Sequence, residues 1–525
     1  MSKNPKDGAF DGPDDRDELH DERFHEDFDE RIDNESIDPD DLSPLGSNPL
    51  SVADLSPFAD GDEGDNLSED SDWELEDSEY QADADAVYEE LLERIGEATP
   101  QPRLEPTRRA VELLGDPHRA YPIIHVTGTN GKTSTSRITE SILRAYGLRT
   151  GLMTSPHLVR VNERIMIDGL PISNRALVAN WRDIQPFLMM VDAELTANSE
   201  PELSFFEALT VLAFACFADA PVDVAVIEVG MGGEWDSTNV ADGQVAVFAP
   251  IALDHTQRLG STVREIAATK SGIVKPVARI VSAMQDSDAM AELEKAAELT
   301  ESTLAVEGDA FALESTTVAV GGQLISVRGR AGSYSELFLP LFGEHQAHNA
   351  ALAIAAVESF LGDGSQALVT DVLEEGLASV TSPGRLELIG IEPTVIVDAA
   401  HNPHGAASLV AALGKYFAFE EFCVVVSVLH DKDARGIIEA LAPVAERFHV
   451  TQSQSERAID YVDLAELVLE VTHEDATYQF DTAEQAIGDA RRWADEAPGR
   501  AVIVTGSITL VGEAIALARA EGWKK

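Results

Sequence analysis

An α/β protein with two folded domains, each built on a mostly parallel sheet, is predicted by three features of the sequence. Runs such as "YPIIHV", "VDVAVIEV", "GQVAVFAP" and "FCVVVSVL" are apolar almost throughout, as strands covered on both faces must be. Each passes into a loop of glycines or polar residues, and helical spacing follows several of them, which is the rhythm of parallel sheets crossed over by helices. The third feature is size: 525 residues, 44% of them hydrophobic, exceed what one ordinary core encloses.

The chain opens on different material. Residues 1–80 hold 29 Asp/Glu against 5 Lys/Arg, which accounts for −24 of the formal net charge of −56. Such a segment buries too little apolar surface to offset its ordering entropy, so a disordered acidic tail is expected over residues 1–84. An acidic interaction segment is the alternative, with "DWELEDSEY" as its docking stretch. Beyond it "VYEELLERIG" has helical spacing, and "YPIIHVTGTNGKTSTSRITESILRAYG" reads as strand, glycine loop and helix. "LRTGLMTSPHLV" is strand and loop, "SFFEALTVLAFACFA" a buried helix, "VDVAVIEVGMGG" a strand ending in glycines. "GQVAVFAPIALDHT" is a strand ending in Asp254-His255-Thr256, and "REIAATKSGIV" is a helix. β-rich material after "AVEGDAFALES" leads to the helix "GEHQAHNAALAIAAVESFL", closing a domain expected at 85–380. "TSPGRLEL" marks the boundary, and a second alternating series fills 381–525. Polar residues gather after the strands, where open α/β sheets hold ligands.

The overall charge excludes nucleic-acid binding by the bulk surface and a polybasic membrane anchor. Cys216 and Cys423 lie inside apolar runs and read as buried thiols of a reducing compartment. The N-terminus has no apolar stretch and no run is long enough to span a membrane, so a cytoplasmic protein is expected.

Chemistry concentrates in "IIHVTGTNGKTSTSRITESIL", residues 123–143. A standard phosphate loop, G-x-x-x-x-G-K-[ST], would put its first glycine at Val126; here it is Gly128. The chemistry survives the shorter spacing. Gly128 and Gly131, flanking Thr129 and Asn130, let backbone N–H groups approach phosphate, and the helix that follows points its positive end at the same place. Lys132 can bridge phosphates, and the Thr133 and Ser134 hydroxyls can meet phosphate or magnesium. Glu228, ending an apolar strand, is a hard oxygen donor suited to magnesium.

"GTNGKT" resembles the ATP loop of the Mur ligase superfamily of ATP-dependent amide ligases. "TSPHL", "VNERI", "EVGMGGEWDSTNV", "LDHTQRLG", "ATKSGIVK", "GEHQAHNAALAIAA", "SPGRLE", "DAAHNPHG", "HDKD" and "TGSITLVGEA" follow in order, and together resemble the bifunctional dihydrofolate synthase/folylpolyglutamate synthase family across residues 87–523. The resemblance implies a P-loop, Mur-ligase-like central ATP-binding domain and a smaller Rossmann-like C-terminal domain. It implies ATP and Mg2+ as cofactors, with Lys132, His255 and Lys270 catalytic and Ser155, Glu228, His255 and Lys270 at the metal, Lys270 as a carbamate. The nucleotide would be held by the loop from Gly128 to Ser134 with Asn349, Arg385, Asp398 and His401: Arg385 on phosphate, Asp398 on ribose, His401 near adenosine. "HDKD" and "TGS" would hold the incoming glutamate, and Phe205 or Phe206 would wall a flat acceptor unless both are core. Two departures stand out: Thr269 where Glu is common, and Glu234-Trp235 where Arg and an apolar residue are common.

The implied activity adds L-glutamate to dihydropteroate and to reduced folates through an acyl phosphate, in a monomer with no nucleic-acid or membrane partner. A folylpolyglutamate synthase alone, or a Mur-type peptidoglycan precursor ligase, is the alternative. A non-catalytic nucleotide-binding regulator is a third, opposed by Lys132, Glu228 and His255 all being present.

Overall fold

A computed structural model describes residues 77–97, 99, 101–472 and 476–523. The expected acidic tail therefore lies outside the described residues as far as residue 76. Residues 77–84, assigned to it by composition, belong instead to the body. Asp77 accepts a hydrogen bond from the Asn174 amide and pairs with Arg160 at 3.6 Å, and helix α1 (Gln81–Leu92) buries Ala84, Val87 and Leu91. Three anchoring residues at helical spacing outweigh the acidic composition around them.

The first sheet has eight strands in the order β4-β3-β2-β5-β1-β6-β7-β8. They are β1 (Ile123–Thr127), β2 (Thr150–Met153), β3 (Ile165–Ile167), β4 (Leu170–Pro171), β5 (Val224–Glu228), β6 (Val245–Phe248), β7 (Arg279–Ser282) and β8 (Thr303–Val306). The pairs from β2 to β8 are parallel, and β3 and β4 form an antiparallel edge. Every residue of β1, β2, β5 and β6 is buried, as continuous apolar runs require. Helix α2 (Lys132–Ala145) follows β1, and helix α3 (Phe205–Asp219) precedes β5. Ser204 and Glu207 form a reciprocal cap at the start of α3, which is buried on nearly every side.

A three-stranded antiparallel sheet follows, β9 (Ala312–Ala319), β10 (Gly322–Arg328) and β11 (Ser333–Leu339), in the order β11-β10-β9. Helix α4 (Glu344–Gly362) then packs on α2. The C-terminal sheet has six strands ordered β12-β13-β17-β14-β15-β16. These are β12 (Glu387–Ile391), β13 (Thr394–Val397), β14 (Glu421–Val426), β15 (Ala445–Val450), β16 (Thr477–Gln479) and β17 (Arg500–Thr505), parallel except at the β12–β13 edge. Helices α5 (Pro403–Tyr416) and α6 (Ile508–Glu521) pack in its two faces' cores.

Register sets up the site. Val126 lies opposite Glu228 and Thr127 opposite Phe248, so β1, β5 and β6 end together. The strand order turns back around β1, and its C-terminal edge opens a crevice there.

Candidate active site

The loop between β1 and α2 can take its shape only with glycine at two places. Gly128 has φ 148°, and a Cβ there would lie 2.7 Å from Ala249 Cβ. Gly131 has φ 87°, and a Cβ there would lie 2.5 Å from Asn349 Oδ1 on α4. The second contact is how Asn349, buried and donating to Gln346 Oε1 at 3.1 Å, comes to stand against a loop more than 200 residues earlier. The Thr129 and Asn130 amides donate to Pro250 O, and Thr129 Oγ1 donates to Ala252 O at 3.0 Å. Lys132 Nζ donates to Thr129 O at 3.2 Å, folded back over its own loop.

Lys132 stands between two groups. On one side Glu228 accepts from Thr133 Oγ1 at 2.9 Å and from the Ser155 amide at 3.3 Å. It is 1% exposed and forms no ion pair within 4 Å among the described residues. Burial raises its carboxyl, opposed by the Lys132 charge and the Thr133 hydrogen bond. On the other side Gly128, Thr129, Lys132, Asp254, His255, Lys270 and His401 line a pocket of about 320 Å³. There Lys270 Nζ, buried, donates to Gly128 O at 2.7 Å; burial and the Lys132 charge bring its pKa down to about 7. His255, at φ 51°, is held neutral by burial and Lys432, its pKa down to about 3.

Asp254 ties this pocket to the C-terminal part. It accepts from Lys432 Nζ at 2.7 Å and faces His401 Nε2 at 3.6 Å. Burial works to raise its carboxyl, but the nearby His401 ring and the Lys432 ammonium hold it well below the usual carboxylate range. Asn402 Nδ2 donates to Asn130 Oδ1 at 3.0 Å, so the tip of the phosphate loop touches the "HNPH" turn that caps α5. Asp254, Lys432 and Asn402 were legible as members of "LDHT", "HDKD" and "HNPH" but not as one cluster, because 148 or more residues separate the partners.

The structure revises several expectations. Ser134 turns away from the loop: its hydroxyl is buried against Ser382 Oγ at 3.0 Å, since the third residue of the helix points into the body. Asp398 commits both oxygens to backbone, accepting from the Leu386 and Ala400 amides at 2.9 Å, and so shapes the turn that carries Arg385. His401 hydrogen-bonds Ala399 O through Nδ1 and lines the same pocket as Lys132. Lys432 of "HDKD" is engaged with Asp254, and Ser507 of "TGS" caps α6. Phe205 is core, with Arg164 at 5.1 Å over its ring; Phe206 is half-buried, its ring 2.5 Å from where a Gly230 Cβ would stand. The two departures, Glu234 and Thr269, are neighbours through an amide-to-carbonyl hydrogen bond at 2.8 Å, so Thr269 spares Glu234 a second carboxylate beside it.

Ser155 meets Glu228 through its backbone amide, while His255 and Lys270 line the pocket beside Lys132. No group of three or more His, Cys, Asp and Glu side chains spaced to hold a metal occurs among the described residues. Chemistry explains this: magnesium keeps water and phosphate in its shell and needs only one or two protein carboxylates. The fit rests on Glu228, a buried carboxylate with no ion pair within 4 Å among the described residues, beside a hydroxyl at a helix start.

A phosphate loop at the crevice of a parallel sheet, a buried acid and a lysine beside it, and a second α/β domain latched across them define an ATP-dependent ligase of the Mur type. Residues 126–357 match the Mur ligase middle domain and residues 384–508 the Mur ligase glutamate ligase domain. The dihydrofolate synthase/folylpolyglutamate synthase of Mycobacterium tuberculosis is 42% identical over 440 residues, spanning 79% of this chain and 90% of that one. The folylpolyglutamate synthase of Lacticaseibacillus casei is 34% identical, over 78% of this chain and 94% of that one. The structure of Mycobacterium tuberculosis folylpolyglutamate synthase complexed with ADP superposes with a TM-score of 0.80 at 42% identity, covering 84% of this chain and 99% of that one. The chain belongs to the dihydrofolate synthase/folylpolyglutamate synthase family, and is an ATP-dependent glutamate ligase of folate metabolism.

Proposed function

We propose that this chain joins L-glutamate to both dihydropteroate and reduced folates. The observation that carries the reading is the placement of Lys132 between the Glu228 carboxylate and the Lys270–His255 pocket, at the ends of β1, β5 and β6. The acceptor carboxylate oxygen attacks the γ-phosphorus of ATP, releasing ADP and leaving an acyl phosphate. The amine of glutamate attacks the acyl carbon, the C–O bond to phosphate breaks, and the nitrogen loses a proton as the amide forms.

Each residue has a part in this sequence. The loop amides and the start of α2 cradle phosphate, and Lys132 leaves Thr129 O to meet the transferring group. Arg385 adds charge from the C-terminal side, on a turn fixed by Asp398. Mg2+, when bound, neutralises phosphate charge, and Glu228, Thr133 and Ser155 are the residues placed to hold it. His255, held neutral, keeps a lone pair for a ligand role. Lys270, with a pKa near 7, is neutral often enough to take up CO2 as a carbamate, which turns a repelling cation into an anion beside the metal. Phe206 is the aromatic wall for the acceptor. Free, buried Cys216 and Cys423 support a reducing, cytoplasmic setting.

Phosphate release with ATP and Mg2+ tests this reading. It should require glutamate and a pteroate or folate acceptor together. Release with a peptidoglycan precursor in place of folate would return the chain to the wider superfamily, and no glutamate-dependent release would leave only nucleotide binding.

A further inference from the structure

A second cleft opens beside Thr133, formed by Thr133, Arg137, Thr154, Pro156, Leu158 and Glu163 of the first domain with Pro383, Arg385, Ala399 and Ile508 of the second, about 380 Å³ in volume. Arg137 stands on α2 four residues after Thr133, so it shares that face, and helical side chains lean back toward the N-terminus. Its guanidinium therefore reaches toward the phosphate end of the helix.

In this acidic chain arginine is usually spent on a carboxylate, as at Arg103–Glu207, Arg164–Glu97 and Arg500–Glu421. Arg137 is an exception. Glu228, Glu163 and Glu140 lie close enough to act on it electrostatically, yet none forms a hydrogen bond or ion pair with it among the described residues. Each is engaged elsewhere. Glu163 accepts from the Leu158, Val159 and Arg160 amides, Glu140 from Arg144 and Thr150, and Glu228 from Thr133 and Ser155. Arg385 across the cleft has no side-chain partner among the described residues either. Two facing guanidinium groups repel one another unless an anion stands between them.

The same lining selects the anion. Glu163 would repel a second phosphate, but it complements an ammonium group, while Pro156, Leu158, Pro383 and Ile508 suit a short methylene chain. A small zwitterion with a free carboxylate satisfies all of these at once. Resting on the ligase reading above, we propose that this cleft receives the incoming glutamate and that Arg137 holds one of its carboxylates, beside the point where the acyl phosphate forms.

The test is steady-state kinetics of the full chain and of R137Q and R137K, varying glutamate, ATP and folate in turn. L-glutamine and L-isoglutamine, which lack one carboxylate each, serve as alternative amines. ADP binding and thermal melting establish that both variants fold. The expected result is a KM for glutamate raised about tenfold or more in R137Q, as for loss of a charge-assisted hydrogen bond, and less in R137K, with the KM values for ATP and folate unchanged. R137Q should also lose the preference for glutamate over one of the two amides, which names the carboxylate held. A raised KM for ATP or folate with that for glutamate unchanged, or discrimination that survives R137Q, would overturn the assignment. A wild-type chain that ligates none of these amines would instead remove the ligase reading on which it rests.

Discussion

Lys132 and Lys270 show what each side chain of the site gives up. Lys132 is drawn back to a carbonyl of its own loop, and its pKa is lowered by burial against the pull of Glu228 and Asp254. Nothing in the core depends on it, so Lys132→Ala should abolish ligation and leave the melting temperature of the ligand-free protein unchanged; near-normal turnover would remove the loop assignment. Lys270 keeps a buried amine at a cost in solvation. Its folded pKa, about 7, lies below the unfolded value, so the neutral amine that CO2 requires is favoured as pH rises through 7 and lost as pH falls below it. Preincubation with bicarbonate should accordingly raise activity above that point and not below it. Lys270→Ala should lose most activity, and acetate should restore part of it; an active, metal-bound crystal with unmodified Lys270 would contradict the carbamate. These positions were readable because they sit inside short ordered motifs. The turn of Ser134 toward Ser382 and the use of Asp398 on two backbone amides were not, since both depend on partners that no local spacing reveals.

Strands and helices were the most legible level, because continuous apolar runs and helical spacing report burial directly. What they conceal is how one element fixes another. Helix α4 read simply as a helix closing its domain, yet it carries Asn349 against Gly131 at one end and Glu358 at the other. Glu358 is buried and accepts from the Arg330 and Gly332 amides and from Tyr334 Oη at 2.7 Å, tying down the turn between β10 and β11. A carboxylate with this many donors is worth more than its ion-pair count suggests. Glu358→Gln should cost about 1–3 kcal/mol by denaturant unfolding and should speed hydrogen exchange at residues 330–334. Unchanged exchange there would show that the turn holds itself.

At the scale of the molecule, the active site is a seam. The Asp254–Lys432 ion pair and the Asn130–Asn402 contact latch the C-terminal domain onto the phosphate loop, and both candidate pockets lie along that joint. The two-domain plan was visible in the alternating pattern, whereas the seam was not, because it is made by residues from distant motifs. The charge of −56 was also visible, and it sharpens the meaning of Arg137 and Arg385, which line the second cleft without carboxylate partners among the described residues. Removing residues 1–76 should leave the ligation rate unchanged, since no site residue lies there. A cut at residue 84, taking Asp77 and Ala84, should lower the melting temperature, and equal effects of the two cuts would contradict the boundary. The most direct measurement supplies purified protein with ATP, Mg2+ and radiolabelled L-glutamate, offers dihydropteroate and tetrahydrofolate separately, and counts glutamate incorporated against ADP formed. One glutamate joined per ADP on each acceptor is the predicted result; incorporation on tetrahydrofolate alone would remove the dihydropteroate half, and ADP formation without incorporation on either would contradict glutamate ligation itself.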